Sequence, residues 1–173
     1  CIDDPTNALP AYQRKNAAIA MEAMHILGIN TEGIDAVATW NSLFEQTGFI
    51  GRLFPSGRYE KLWYDASHNA DGFITTMKAL KGMGHPLPIV IFGASNDKTL
   101  NHLSVFIHDV DQWIFCEFTN PRSYRGEPLK KVVDSLGLTK IQFTTDVNEA
   151  IQRALKMRSE SQGILVTGSF FLL

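Results

Sequence analysis

From residue 49 onward, short apolar runs alternate with helical stretches, and that alternation restricts the chain to few folds. Strands are predicted near Arg58–Asp65, Pro88–Gly93, Gln112–Glu117, Lys140–Thr144 and Gly163–Thr167, with helices near Asn69–Lys81, Leu100–His108, Gly126–Leu136 and Val147–Arg158. Ile89–Phe92 and Ile164–Val166 are apolar at every position, as a strand must be when helices cover both of its faces. Repeated strand–helix units imply parallel pairing through right-handed crossovers. The expected fold is therefore an α/β, Rossmann-like, doubly wound and mainly parallel sheet of five to six strands with helices on both faces. Ile50–Phe54 is expected to add an edge strand, antiparallel to its neighbour.

The residues before this pattern read as helical. Pro10 suits a first helical turn, helix-forming residues follow to position 27, and Gly28 ends the run. Thr31 is expected to cap a second helix whose apolar stripe is Ile34, Val37, Trp40, Leu43 and Phe44. Residues 1–48 thus form a helical arm, and residues 49–173 the α/β domain. Opening at Cys1 inside a helix lead-in, the chain reads as a fragment of a longer protein.

Composition removes several classes of function. Sixteen basic residues stand against eighteen acidic ones, with no block of either sign, so the basic stripe of a nucleic-acid binder is missing. The longest apolar runs are far too short to span a bilayer. Cys1 and Cys116 make neither a disulfide framework nor a metal-binding spacing, which favours a reducing, cytoplasmic setting. No G-x-x-x-x-G-K-[ST], H-E-x-x-H, G-x-S-x-G or G-x-G-x-x-G occurs.

In an open α/β sheet, ligands bind beyond the carboxyl ends of the strands. Three polar segments fall there: Asp65-Ala66-Ser67-His68-Asn69, Gly93-Ala94-Ser95-Asn96-Asp97-Lys98, and Thr167-Gly168-Ser169. The exposed N–H groups of the helix that follows Asn69 favour an anion nearby. Each segment also has a purely structural reading. Asp65 and Asn69 serve as turn and cap residues, His68 as an exposed histidine, Asp97 as a cap, Gly168-Ser169 as a turn and Arg52 as a surface arginine. Cys116 lies within a strand without a base partner, so it is not expected to act as a nucleophile.

Taken in order, the segments resemble one family. Gln13-x-x-Asn16-Ala17-Ala18 resembles the end of the ATPase domain in the Mur ligase superfamily. Gly51-Arg52-Leu53 resembles the P-G-R segment of its folylpolyglutamate synthase and dihydrofolate synthase branch, and Asp65-Ala66-Ser67-His68-Asn69 that branch's D-x-A-H-N-P. Gly93 to Asp97-Lys98 is similar to its G-x-x-x-D-K, Asn120-Pro121-Arg122 to N-P-R, and Thr167-Gly168-Ser169 to the terminal T-G-S. Ile50, Ser67 and Ala70 depart from the usual proline, alanine and proline.

The resemblance implies an ATP-dependent ligase that joins L-glutamate to folate or dihydropteroate through an acyl phosphate. It implies ATP and Mg2+ as cofactors, with the metal ligands and phosphate loop on an N-terminal ATPase domain upstream of Cys1, so that this part alone is inactive. It gives Arg52 to the nucleotide phosphates as a catalytic group and Asp65 to the nucleotide through ribose hydroxyls. It gives His68 a catalytic role, orienting the incoming glutamate or the acyl phosphate, Ser169 to the glutamate carboxylate and Asn16 to the adenine side, with no metal ligand in this chain. Another Mur-type amino-acid ligase and a non-catalytic Rossmann-like binding module are the alternatives. An upstream phosphate loop would separate the ligases from the module.

Overall fold

The computed structural model describes residues 11–35, 38–39 and 42–173. Cys1, Pro10, Val37 and Trp40 lie outside the described residues, as do the side chains of Leu43 and Phe44. The chain divides into two compact units, one ending at Phe49 and one running Ile50–Leu173.

In the first unit, α1 (Ala11–Ile26) stops at Gly28, whose φ of 69° is left-handed. There the amide of Ile29 reaches back to the carbonyl of Met24 at 2.9 Å, the closure that glycine permits. The side-chain oxygen of Asp35 accepts the amide three positions on, that of Ala38, at 3.0 Å, whereas Thr31 takes the Ile34 amide on its backbone carbonyl at 3.1 Å. The described part of the second helical stretch is α2 (Leu43–Thr47). Ile34 is exposed rather than packed in a stripe.

The second unit is built on β1 (Phe54–Pro55), β2 (Leu62–Tyr64), β3 (Ile89–Phe92), β4 (Gln112–Cys116), β5 (Ile141–Thr144) and β6 (Ile164–Thr167). They form one six-stranded sheet in the order β1-β2-β6-β3-β4-β5. Only β1 runs antiparallel, pairing Phe54 with Tyr64; the other pairs are parallel. Between the strands lie α3 (Ala70–Gly82), a 3-10 helix (Asn101–Phe106), α4 (Gly126–Ser135) and α5 (Val147–Met157).

The unbroken apolar strands are explained by two separate cores. Val90, Phe92, Trp113, Phe115 and Leu165 pack with Phe73 and Leu80 of α3, Leu103 and Phe106 of the 3-10 helix, and Leu129 and Val133 of α4. Their sequence neighbours Ile89, Ile91, Ile114, Ile164 and Val166 point the other way, onto Ala150, Ile151 and Ala154 of α5. The strands from β2 through β5 progress across the sheet in one direction, and the chain then returns through α5 to place β6 between β2 and β3. A right-handed crossover that reverses direction must put its helix on the opposite face, and α5 lies there.

Two local expectations are corrected. The first core strand begins at Leu62 and not Arg58, because the Ser56 hydroxyl accepts the amides of Arg58 and Tyr59 in a turn. Lys61 then takes a left-handed φ of 55°. The segment after β3 is a 3-10 helix and not an α-helix. Its buried residues Leu103 and Phe106, with Leu100 just before it, repeat every three positions, the period of a 3-10 turn.

Candidate functional site

Three loops leave the carboxyl edge side by side. The amide of Asp65, just past β2, donates to Val166 of β6 at 2.9 Å, and that of Gly93, just past β3, donates to Thr167 at 3.0 Å. Gly168 makes the close approach possible. Its φ is 101°, and a Cβ there would collide with the Gly93 carbonyl oxygen and lie 2.9 Å from the Phe92 ring. The Ser67 carbonyl accepts the Gly168 amide at 3.0 Å and the Thr167 hydroxyl at 3.3 Å, so the first and last loops are joined directly.

Asp65 is the centre of this edge. Its side chain is 1% exposed. Oδ2 accepts the Leu53 amide at 2.8 Å, and Oδ1 accepts the Ser67 amide at 2.8 Å together with the Ser67 hydroxyl. A direct contact with ribose hydroxyls would need an accessible oxygen, and in this arrangement both are turned inward. Arg52, by contrast, is exposed, while the residues on either side of it, Gly51 and Leu53, are buried. The Gly51 carbonyl accepts the Ala66 amide at 3.0 Å, so both neighbours of Arg52 are tied to the Asp65-Ala66 pair.

His68 is exposed, and its Nδ1 lies 3.0 Å from the Ala66 carbonyl. A carbonyl only accepts, so Nδ1 carries the proton and Nε2 of the neutral ring keeps its lone pair. Asn69 caps α3 by accepting the Gly72 amide at 2.8 Å. A Cβ at Gly72 would sit 3.1 Å from both the Asn69 side-chain oxygen and the Ser67 hydroxyl, so the crowded turn favours glycine. Ser169 is buried and caps the terminal 3-10 turn Phe170–Leu172, accepting the Phe171 amide at 3.3 Å. This use as an acceptor leaves the hydroxyl proton to donate. Asn16 lies in the other unit, on α1, where its side-chain amide donates to Gln13 at 3.3 Å.

The loops after β3 and β4 are stitched together. The Asn96 amide donates to Arg122 at 2.7 Å and the Tyr124 amide to Ala94 at 2.8 Å, and Arg122 forms a 2.7 Å ion pair with Asp97. Desolvation pushes the Asp97 carboxyl up, but the Arg122 hydrogen bond, its own backbone amide, and the charges of Arg122 and Lys98 together hold it below its ordinary value. Arg125 fastens the same loop by donating to the Phe118 and Asn120 carbonyls at 2.8 and 3.0 Å.

A cavity of about 320 Å³ opens beyond β4 and β5, lined by residues including Glu117, Phe118, Asn120, Asp146, Phe171 and Leu172. It falls where connections leave for opposite faces, α4 on one side and α5 on the other. None of Arg52, Asp65, His68 and Ser169 lines it. Cys116 is buried nearby, and burial, with Asp146, Glu117 and Glu149 adding to it, pushes its thiol up to about 12, which leaves it no nucleophilic character at neutral pH. Among the described residues no group of three or more His, Cys, Asp and Glu could hold a metal ion. No helix among them is long and apolar enough to cross a membrane.

Sequence reasoning noted Ser67 only as a departure from a motif and passed over Thr76, yet their hydroxyls lie 3.0 Å apart next to Asp65. The Asp-x-Ser spacing was the available signal for Ser67, since an Asp side chain commonly accepts the amide two residues on. Thr76 gave no signal, being one polar position on the buried face of α3.

A family model described as Mur ligase, glutamate ligase domain, matches residues 51–170. No curated protein matches the sequence. Among solved structures, Escherichia coli FolC in complex with DHPP and ADP aligns with a TM-score of 0.70 at 20% identity, covering 91% of this chain and 36% of that one. Thermotoga maritima folylpolyglutamate synthase gives 0.68 at 21% identity, over 94% and 37%. Mycobacterium tuberculosis folylpolyglutamate synthase complexed with ADP gives 0.66 at 20%, over 84% and 34%. At such identities the likeness is one of fold, and the chain spans about a third of the length of these structures.

Proposed function

Because the chain belongs to the Mur ligase glutamate ligase domain family, we propose that it is the C-terminal part of an ATP-dependent carboxylate–amine ligase. The proposed reaction adds L-glutamate to folate or dihydropteroate. ATP phosphorylates the acceptor's carboxylate, the glutamate amine attacks the acyl phosphate, and phosphate leaves. In this reading residues 49–173 are the glutamate ligase domain and residues 1–48 the end of the ATPase domain that precedes it, in a cytoplasmic protein.

The observation that carries the reading is the meeting of the Gly51-Arg52-Leu53, Asp65-to-Asn69 and Thr167-Gly168-Ser169 segments at one edge of the sheet. Arg52 is the exposed cation there, and its guanidinium is assigned to the phosphates, where charge develops during transfer. Asp65 serves the nucleotide side through the loop that it holds. His68 meets the glutamate, its free Nε2 accepting a proton from the incoming amine. Ser169 donates to the glutamate carboxylate, and Asn16 serves the adenine. Mg2+, held by ligands on the preceding domain, would neutralise phosphate charge.

The test is ATP-dependent incorporation of labelled glutamate by the full-length protein, offered dihydropteroate and tetrahydrofolate separately. Product and ADP in equal amounts are expected with at least one acceptor. Absence of both products with either acceptor would end this reading.

A further inference from the structure

We propose that Ser67 and Thr76 are positioning residues for Arg52, acting through the buried carboxylate of Asp65. The inference rests on the assignment of Arg52 to the phosphates, and begins from the backbone around it. Leu53 has a φ of 49°, a left-handed conformation that a leucine keeps only where its surroundings enforce it. The enforcing contact is the 2.8 Å hydrogen bond from the Leu53 amide to Asp65 Oδ2, with the Gly51 carbonyl held by Ala66 on the other side. Where Arg52 projects is therefore set by how firmly the Asp65 carboxylate is held.

That carboxylate is held by a directional chain of hydroxyls. Ser67 donates its one hydroxyl proton to Asp65 Oδ1. The 3.0 Å contact between the Ser67 and Thr76 oxygens then has Thr76 as its donor. All three side chains are buried, at 1%, 5% and 2% exposure, where hydrogen bonds to a charge are strong and a lost partner is not replaced by water. Thr76 sits on α3, so the chain of hydroxyls ties Arg52's loop to the helix that follows the site.

The experiment uses the full-length protein and three variants: Ser67→Ala, Thr76→Val and the conservative Thr76→Ser. Hydrogen exchange is followed by mass spectrometry at residues 51–54, with β3 and β4 as internal controls. Exchange at 51–54 should accelerate about tenfold in Ser67→Ala and Thr76→Val, the loss of one charge-assisted link. It should stay near the unsubstituted rate in Thr76→Ser. Turnover should fall by a similar factor in the first two variants, with the KM for glutamate unchanged. Unaltered exchange at 51–54, or acceleration shared equally by β3 and β4, would overturn the clamp. Normal turnover beside accelerated exchange would overturn its link to Arg52. If the unsubstituted protein ligates no glutamate, the proposed function fails, and the exchange pattern still decides the clamp.

Discussion

Arg52 is exposed while both of its chain neighbours are buried and hydrogen-bonded, the arrangement of a side chain displayed for use. Arg52→Ala should remove little packing, so stability should change by no more than about 0.5 kcal/mol. Turnover of the full-length protein should drop by about 10³ or more if the guanidinium meets the transferring phosphoryl group. Arg52→Lys should restore part of it, since an ammonium keeps the charge and loses the planar fork. Steady-state ligation beside thermal unfolding of the same variants decides the matter. From sequence, Arg52 and His68 stood out only through the order of the motifs around them, since each alone reads as an exposed polar residue. The partner of Asp65 was not, because the Leu53 amide is twelve positions away and an amide leaves no mark in a sequence. Cys116 supplies a second check. With its thiol raised from 9.0 to about 12, it should escape iodoacetamide at pH 8 in the folded protein, as read by peptide mapping. The sign for stability follows: above pH 9 the unfolded chain releases this proton first, so the thiol's contribution is complete below pH 9 and fades as pH climbs towards 12.

Helix α3 does two things at once, covering one face of the sheet and presenting Asn69 and Thr76 to the edge. Phe73 on that helix is fully buried, edge-on to Phe92 and Phe106 at centroid separations of 5.9 and 4.8 Å and stacked on Trp113 at 6.1 Å. Phe73→Ala should cost about 3–5 kcal/mol, since the rings around it belong to three other elements and cannot all collapse into the space. Denaturant unfolding measures this loss. Gly168→Ala should be as severe for a different reason: a left-handed φ, and a Cβ driven against the Gly93 carbonyl. Element types were legible where a short apolar run is unbroken, as in β3 and β6, or where burial repeats at helical spacing, as at Ala150, Ile151 and Ala154 of α5. They were less so after β3, where Leu100, Leu103 and Phe106 satisfy a three-residue and a 3.6-residue repeat over one or two turns alike. The first strand was overestimated because its early residues are compatible with extension, and what turns them is the Ser56 hydroxyl.

Strand order is a property of the whole sheet, and no local pattern announced that β6 would enter between β2 and β3. That insertion has consequences for the site. It sets Thr167-Gly168-Ser169 between the loops that carry Asp65 and Gly93, uniting segments a hundred residues apart. It also leaves the cavity beyond β4 and β5, with Glu117 and Asp146 in its wall, away from Arg52 and His68. The edge so formed carries Arg52 and Lys98 as exposed cations, but the sequence contains no glycine-rich phosphate loop, and no cluster of three or more metal-ligating side chains stands among the described residues. Nucleotide phosphates carry most of ATP's charge and are normally gripped by backbone N–H cradles and a cation. Two surface cations and a capped helix start fall short of that. The 173-residue chain alone should therefore bind ATP feebly and release no ADP in response to folate acceptor and glutamate, whereas the full-length protein should do both. Calorimetric titration with ATP, together with a coupled ADP assay on the two proteins, makes the comparison. ADP release by the chain alone, dependent on both acceptor and glutamate, would mean that a complete site lies within these residues.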